Sequence, residues 1–109
     1  MKKGEVWILD FPVKGGREQT GRRPAIVVAD TKTDLVLVIP LTSNLDALER
    51  FDYSVKIVKS EINKLEKDSV GLVFQLQALD KRRFISIIGN LEDDCLDEID
   101  SVLKDLLKI

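Results

Sequence analysis

At 109 residues, 44% of them apolar, and with a net charge of −2, the chain predicts one domain spanning 1–109 around a single core. No run approaches the roughly eighteen apolar residues of a membrane span. The single cysteine excludes a disulfide framework and a cysteine metal site, and the absence of histidine excludes His triads, His zinc sites and the His pair of many ribonucleases.

The opening Met1-Lys2-Lys3-Gly4 leads into a short alternating segment with no long apolar region, which predicts a cytoplasmic protein without a signal peptide. Val6-Trp7-Ile8-Leu9-Asp10-Phe11 reads as a strand, and so does Ala25-Ile26-Val27-Val28-Ala29. Between them runs the polar stretch Gly15-Gly16-Arg17-Glu18-Gln19-Thr20-Gly21-Arg22-Arg23-Pro24, whose three glycines predict a mobile loop. Pro24 disfavours helical angles at Arg23, which predicts a fixed position for that side chain where loop becomes strand. Guanidinium, carboxylate and amide groups on a loop anchored to a strand suit a polyanion site.

Leu35–Ile39 is a continuous β-branched and apolar run expected deep in a sheet, ending at Pro40-Leu41-Thr42-Ser43-Asn44. Asp46–Arg50 predicts one helical turn, 53–58 a strand, 60–68 a polar connection, 69–76 a strand and 83–88 another. From Glu92 onward the period changes: Leu96, Ile99, Leu103 and Leu106 recur at three- and four-residue steps among acidic neighbours, an amphipathic helix with Cys95 as a small buried hydrophobe. Several short strands with turns between them predict a small antiparallel barrel or sandwich. Charge is uneven: residues 1–32 hold seven Lys/Arg against four Asp/Glu, and residues 92–109 hold two against seven. An acidic total therefore leaves the basic N-terminal part open to nucleic acid, with plain surface scatter as the other reading.

Taken in order, Gly4-Glu5-Val6-Trp7, Glu18-Gln19, Gly21-Arg22-Arg23-Pro24 with its β-branched strand, Pro40-Leu41-Thr42-Ser43, Asp68-Ser69, Gln75 to Lys81, Arg83, and Gly89 and Leu91 before a final helix resemble the MazF/PemK family of toxin endoribonucleases. Each motif alone is weak; their joint order in a chain of this length is specific. The resemblance implies an SH3-like, mostly antiparallel β-barrel with a C-terminal α-helix, acting as a homodimer. It implies a cytoplasmic toxin of a type II toxin–antitoxin system that cuts single-stranded RNA at short sequences without a metal or other cofactor. A cognate antitoxin protein would hold it inactive, with DNA met only through the antitoxin complex. It carries the catalytic roles to Arg23 and Thr42 and RNA binding to Glu18, Gln19, Ser43, Gln75 and Lys81.

The chemistry agrees with the first pair. RNA cleavage by the 2′-hydroxyl needs charge on the phosphorane neutralised, which a two-pronged arginine and a neighbouring hydroxyl can do. Other readings stand beside these: Arg23 pairing with Glu18 at the surface, Thr42 capping the turn at Leu45-Asp46, Gln75 as a satisfied core amide, Trp7 as core, and Lys81-Arg82-Arg83 as a solvated corner. Two departures from the family are visible, Gln77 where many relatives carry an arginine, and Leu72 and Phe74 where others carry Arg and Asp. The rival of the same fold, a gyrase poison acting through a C-terminal tryptophan, conflicts with an ending Leu106-Leu107-Lys108-Ile109 and a lone Trp7. An inactive interaction module is the third reading.

Overall fold

The computed structural model describes residues 1–12 and 21–109. The strands are β1 (Glu5–Phe11), β2 (Gly21–Asp30), β3 (Leu35–Thr42), β4 (Ser54–Ile57), β5 (Ser69–Leu72), β6 (Gln77–Asp80) and β7 (Phe84–Asn90). A single turn, α1 (Ala47–Arg50), and a C-terminal helix, α2 (Asp93–Leu107), complete the described chain. Every pairing is antiparallel, in the order β4-β5-β3-β2-β1-β7 with β6 also on β3. The mostly antiparallel β architecture with a final helix is the one expected from the sequence. None of the described helices is long and apolar enough to cross a membrane.

The long apolar runs have a direct cause. Successive residues of a strand face opposite sides of the sheet, and here both sides are buried. Val6, Ile26, Ile39 and Leu41 enter one core with Val55, Ile57, Ile99 and Leu103; Leu9, Ala25, Val27, Val36 and Val38 enter the other with Phe11 and Leu79. The helix closes the first core with Ile99 and Leu103, flanked by Cys95, Leu96, Val102 and Leu106. Cys95 is half-buried there, and burial first, then Glu98, Glu92 and Asp94, pushes its thiol up to about 11.

Several boundaries differ from the sequence reading, two of them along β3. Strand β3 does not end at Pro40; it runs on to Thr42, because β5 takes up pairing at Leu41↔Gly71 and Thr42↔Val70. The run 69–76 is not one strand. It stops at Leu72, passes through a 3-10 turn at Val73–Gln75, and re-forms as β6, which periodicity did not reveal. Both pieces lie along the same edge of β3. Between Leu41↔Gly71 and Val38↔Gln77, β3 moves three residues while its partner moves six, and the turn absorbs the difference. Of the mobile loop expected over residues 15–24, residues 15–20 lie outside the described residues. Residues 21–24 are not loop but the first part of β2, because β1 pairs with them from Phe11↔Gly21 to Ile8↔Pro24.

Candidate active site at the ends of β2 and β3

The candidate site forms where two prolines end a ladder. Pairing of β2 with β3 stops at Ala25↔Pro40, since Pro24 and Pro40 have no N–H to give. That register, continued two residues outwards, sets Arg23 across from Thr42. Arg23 is already two residues inside β2 and pairs with Leu9 of β1, so its backbone is held on the other side.

Beside these strand ends lies a cleft of about 400 Å³. Ile8, Pro24, Leu41, Leu65 and Ile88 give it an apolar lining, and Arg22, Arg23, Ser43, Lys64, Lys67, Glu66 and Ser69 give it polar groups. A second cleft, of about 380 Å³, is lined by Thr42, Asn44, Arg50, Phe51, Leu72 and Gln75 among others. The structure therefore brings Arg23 and Ser43 together in one cleft and Thr42 and Gln75 in the next. The end of β3 lines both, with Leu41 and Ser43 in the first and Thr42 in the second.

Thr42 does take part in a turn. Its Oγ1 accepts from the Asn44 N–H at 3.2 Å, and Asn44 Oδ1 in turn accepts from Asp46 N–H at 3.1 Å. The hydroxyl hydrogen of Thr42 is not consumed by that bond, because a hydroxyl accepts and donates through different atoms. In the second cleft the Arg50 guanidinium lies 5.3 Å from the centre of the Phe51 ring, which leans on Phe74 at 4.6 Å. Gln75 sits in the 3-10 turn, and its carbonyl accepts from Gln77 Nε2 at 3.1 Å. Gln77, the residue standing in the family arginine's place, is thereby turned back on its own segment.

Other expected residues lie elsewhere. Glu18 and Gln19 are outside the described residues. Lys81 is not near the strand ends within this chain: it follows β6, whose Asp80 pairs with Leu35 at the opposite end of β3, roughly 23 Å along the strand from Thr42 at the usual rise per residue. Its Nζ is 3.4 Å from Asp30 Oδ1, and the amino terminus is 3.3 Å from the other oxygen. The Lys32 N–H foremost, helped by the amino terminus and Lys81 against partial burial, holds the Asp30 carboxyl below the ordinary range. Trp7 is half-buried, edge-on to Phe84 at 5.6 Å, with its indole N–H given to Glu5 Oε1 at 3.0 Å, an arrangement at the rim of the second core. Arg83 donates to the Asp10 carbonyl at 3.2 Å, and Arg82 pairs with Asp80 at 3.2 Å.

Sequence reasoning missed Lys64 and Lys67, which it placed in a polar connection. The one local signal was Leu65 between them, an apolar anchor that turns out 7% exposed. Among the described residues, no group of three or more His, Cys, Asp or Glu side chains converges as a metal site would.

A family model described as the PemK-like, MazF-like toxin of type II toxin–antitoxin systems matches residues 2–107. The chain is 30% identical over 107 residues to the endoribonuclease MazF of Staphylococcus saprophyticus, covering 94% of this chain and 88% of the relative. It superposes on the crystal structure of MazF from Deinococcus radiodurans with a TM-score of 0.78 and 28% identity, covering 98% of this chain and 94% of the other. The MazE–MazF structure from the same organism gives 0.76 and 27%, covering 100% of this chain and 96% of that one.

Proposed function

This chain belongs to the PemK-like, MazF-like family of toxins of type II toxin–antitoxin systems and is an endoribonuclease of that family, and we propose that it cuts single-stranded RNA at the ends of β2 and β3 without a metal. What supports this is that the β2–β3 ladder ends at Ala25↔Pro40, which leaves Arg23 and Thr42 each two residues beyond its end on the two strands. In this proposal a phosphate at the end of β3 meets the guanidinium from one cleft and the Thr42 hydroxyl from the other, with Ser43 beside them.

The reaction begins when the ribose 2′-oxygen forms a bond to phosphorus and the bond to the 5′-oxygen breaks, leaving a 2′,3′-cyclic phosphate and a 5′-hydroxyl. The 2′-hydroxyl proton passes to water, and the departing 5′-oxygen takes a proton from water. Negative charge gathers on the two non-bridging oxygens as the fifth bond forms. Arg23 neutralises it through fixed N–H donors, and Thr42 donates its hydroxyl hydrogen while its oxygen is steadied by Asn44 N–H. In this reading Arg23 acts through its charge and its two-pronged N–H donors. In this proposal Gln75, which lines the cleft of Thr42, reads a base edge, and Glu18 and Gln19 complete the RNA contacts.

The assembly in this reading is a homodimer acting in the cytoplasm, whose partner is a cognate antitoxin. The MazE–MazF structure from D. radiodurans shows that a relative meets such a partner. A segment with acidic residues and apolar anchors would compete with RNA for Arg23 and the apolar lining of its cleft.

The test is incubation of the purified chain with several long RNAs in EDTA, followed by mapping of the ends. Cleavage leaving 5′-hydroxyl and cyclic or 3′-phosphate ends is the expected result. Arg23→Ala should lower the rate by about 10²-fold or more, the usual loss for one such donor, with the fold intact. No cleavage at micromolar enzyme, or a requirement for magnesium, would sink the proposal.

A further inference from the structure

We propose that Lys64 and Lys67 are a preset phosphate-binding arm of this RNA site, holding the backbone of the strand beyond the cleaved bond. The inference rests on the reading of the cleft as the RNA site. It adds two residues that the motifs did not point to.

The first ground is charge. Both lysines line the Arg22–Arg23 cleft, where among the described residues Glu66 is the one carboxylate against four cations. Neither lysine has a carboxylate partner within ion-pair distance among the described residues, in contrast to Lys3, Lys81, Arg82 and Lys108. A cleft with that excess draws in a polyanion and gains when it releases condensed counterions from the strand.

The second ground is rigidity. Asn63 is 0% exposed and ties the segment with four bonds. Its Oδ1 accepts from the N–H groups of Ser60 and Leu65, each at 3.0 Å, and its Nδ2 donates to the Val58 carbonyl at 2.9 Å and to Glu92 Oε1 at 3.1 Å. Lys64 takes a left-handed backbone, φ 57°, closed by its N–H on the Ser60 carbonyl at 2.8 Å. Lys67 is held next to Ser69, whose hydroxyl donates to the Lys67 carbonyl at 2.9 Å. Strand β7 backs the segment: Asn90 N–H reaches the Ile62 carbonyl at 3.1 Å, and a Cβ on Gly89 would lie 2.5 Å from the Asn63 carbonyl oxygen. Lysines on so fixed a segment lose only side-chain freedom on binding, so their charge is available at little ordering cost.

The experiment compares wild type with Lys64→Gln, Lys67→Gln and the double variant. Cleavage of an RNA of about fifteen nucleotides and of a trinucleotide spanning only the cut bond is followed over a salt series. For the long RNA, the double variant should raise KM several-fold with kcat within about twofold. Its plot of log kcat/KM against log salt should flatten by about 0.7 per lysine removed, the single-strand value per phosphate contact. The trinucleotide should not distinguish the variants, and Lys64→Arg should restore the slope. An unchanged KM and salt slope in the double variant overturns the inference. Binding of the same strand with a 2′-deoxy sugar at the cut bond, read by fluorescence anisotropy, separates the two readings. If wild type binds this strand but leaves the all-ribose RNA uncut, the reaction fails while the lysine slope is still measured in binding; if it does not bind, both fail.

Discussion

At the residue scale, Thr42 joins a turn contact to the chemical role proposed for it on one hydroxyl. Its oxygen accepts from Asn44 N–H, which orients the hydroxyl, and its hydrogen is left for a substrate oxygen. Thr42→Ser keeps both bonds and should retain most activity. Thr42→Val removes both, and should cost about 1 kcal/mol or less in chemical denaturation, because the contact is exposed, yet lower kcat by a larger factor than that loss explains. Equal activity of the serine and valine variants would assign Thr42 to the turn alone. Cys95 offers a second check at this scale. Its thiol is pushed up to about 11 by burial and by the carboxylates around it, so almost none is thiolate near neutral pH. Iodoacetamide should label it far more slowly at pH 8 than it labels a free thiol, with the rate climbing towards pH 11.

At the element scale, the segment between β4 and β5 and the strand β7 depend on each other. Gly89→Ala places a methyl against the backbone carbonyls of Ile62 and Asn63, groups that cannot rotate away. We expect a loss of about 1–3 kcal/mol in thermal or denaturant unfolding, the usual range for overpacking. Glu92 ties the same segment to the start of α2 through Asn63. Burial pushes its carboxyl up, but hydrogen bonds from Ser60, its own backbone and Asn63 together outweigh that, and the net shift is below the ordinary value of 4.5. A group lowered on folding contributes stability that is fully present above its unfolded value and is lost as pH falls through the folded one. The stability gap between wild type and Glu92→Gln should therefore be steady at neutral pH and shrink only below about pH 4.5; a gap that widened on acidification would contradict the assigned bonds.

At the scale of the whole molecule, β7 is an edge that pairs only with β1 among the described strands, and it carries Ile85 and Ile87 at 44% and 47% exposure. An apolar edge of this kind is a liability in a monomer and a natural seam in a two-fold dimer. The proposed homodimer should scatter light as twice 12.3 kDa at micromolar concentration. Replacing Ile85 and Ile87 together by lysine should shift it towards monomer. A wild-type monomer that still cuts RNA would remove the dimer from the mechanism.

Local chemistry was enough for much of this protein. β-branched runs flanked by glycine and proline marked β1, β2 and β3, a three- and four-residue apolar period marked α2, and Pro24 marked Arg23 as a fixed side chain, because each of these depends on neighbours in the chain. The order of short motifs carried the family, and the proposed roles of Arg23 and Thr42 rest on it. Three features depended on contacts that no window of sequence contains. Strand β3 continued past Pro40 because β5 was there to pair with it, and the apolar run 69–76 broke in two because both halves had to fit one edge of β3 in different registers. Lys64 and Lys67 belong to the cleft because Asn63 and Gly89 fix their segment, while Lys81, adjacent to the motifs in sequence, ended at the other end of β3 beside Asp30. Strand pairing joins residues by register across the sheet, and that register is set by the packing of the whole fold.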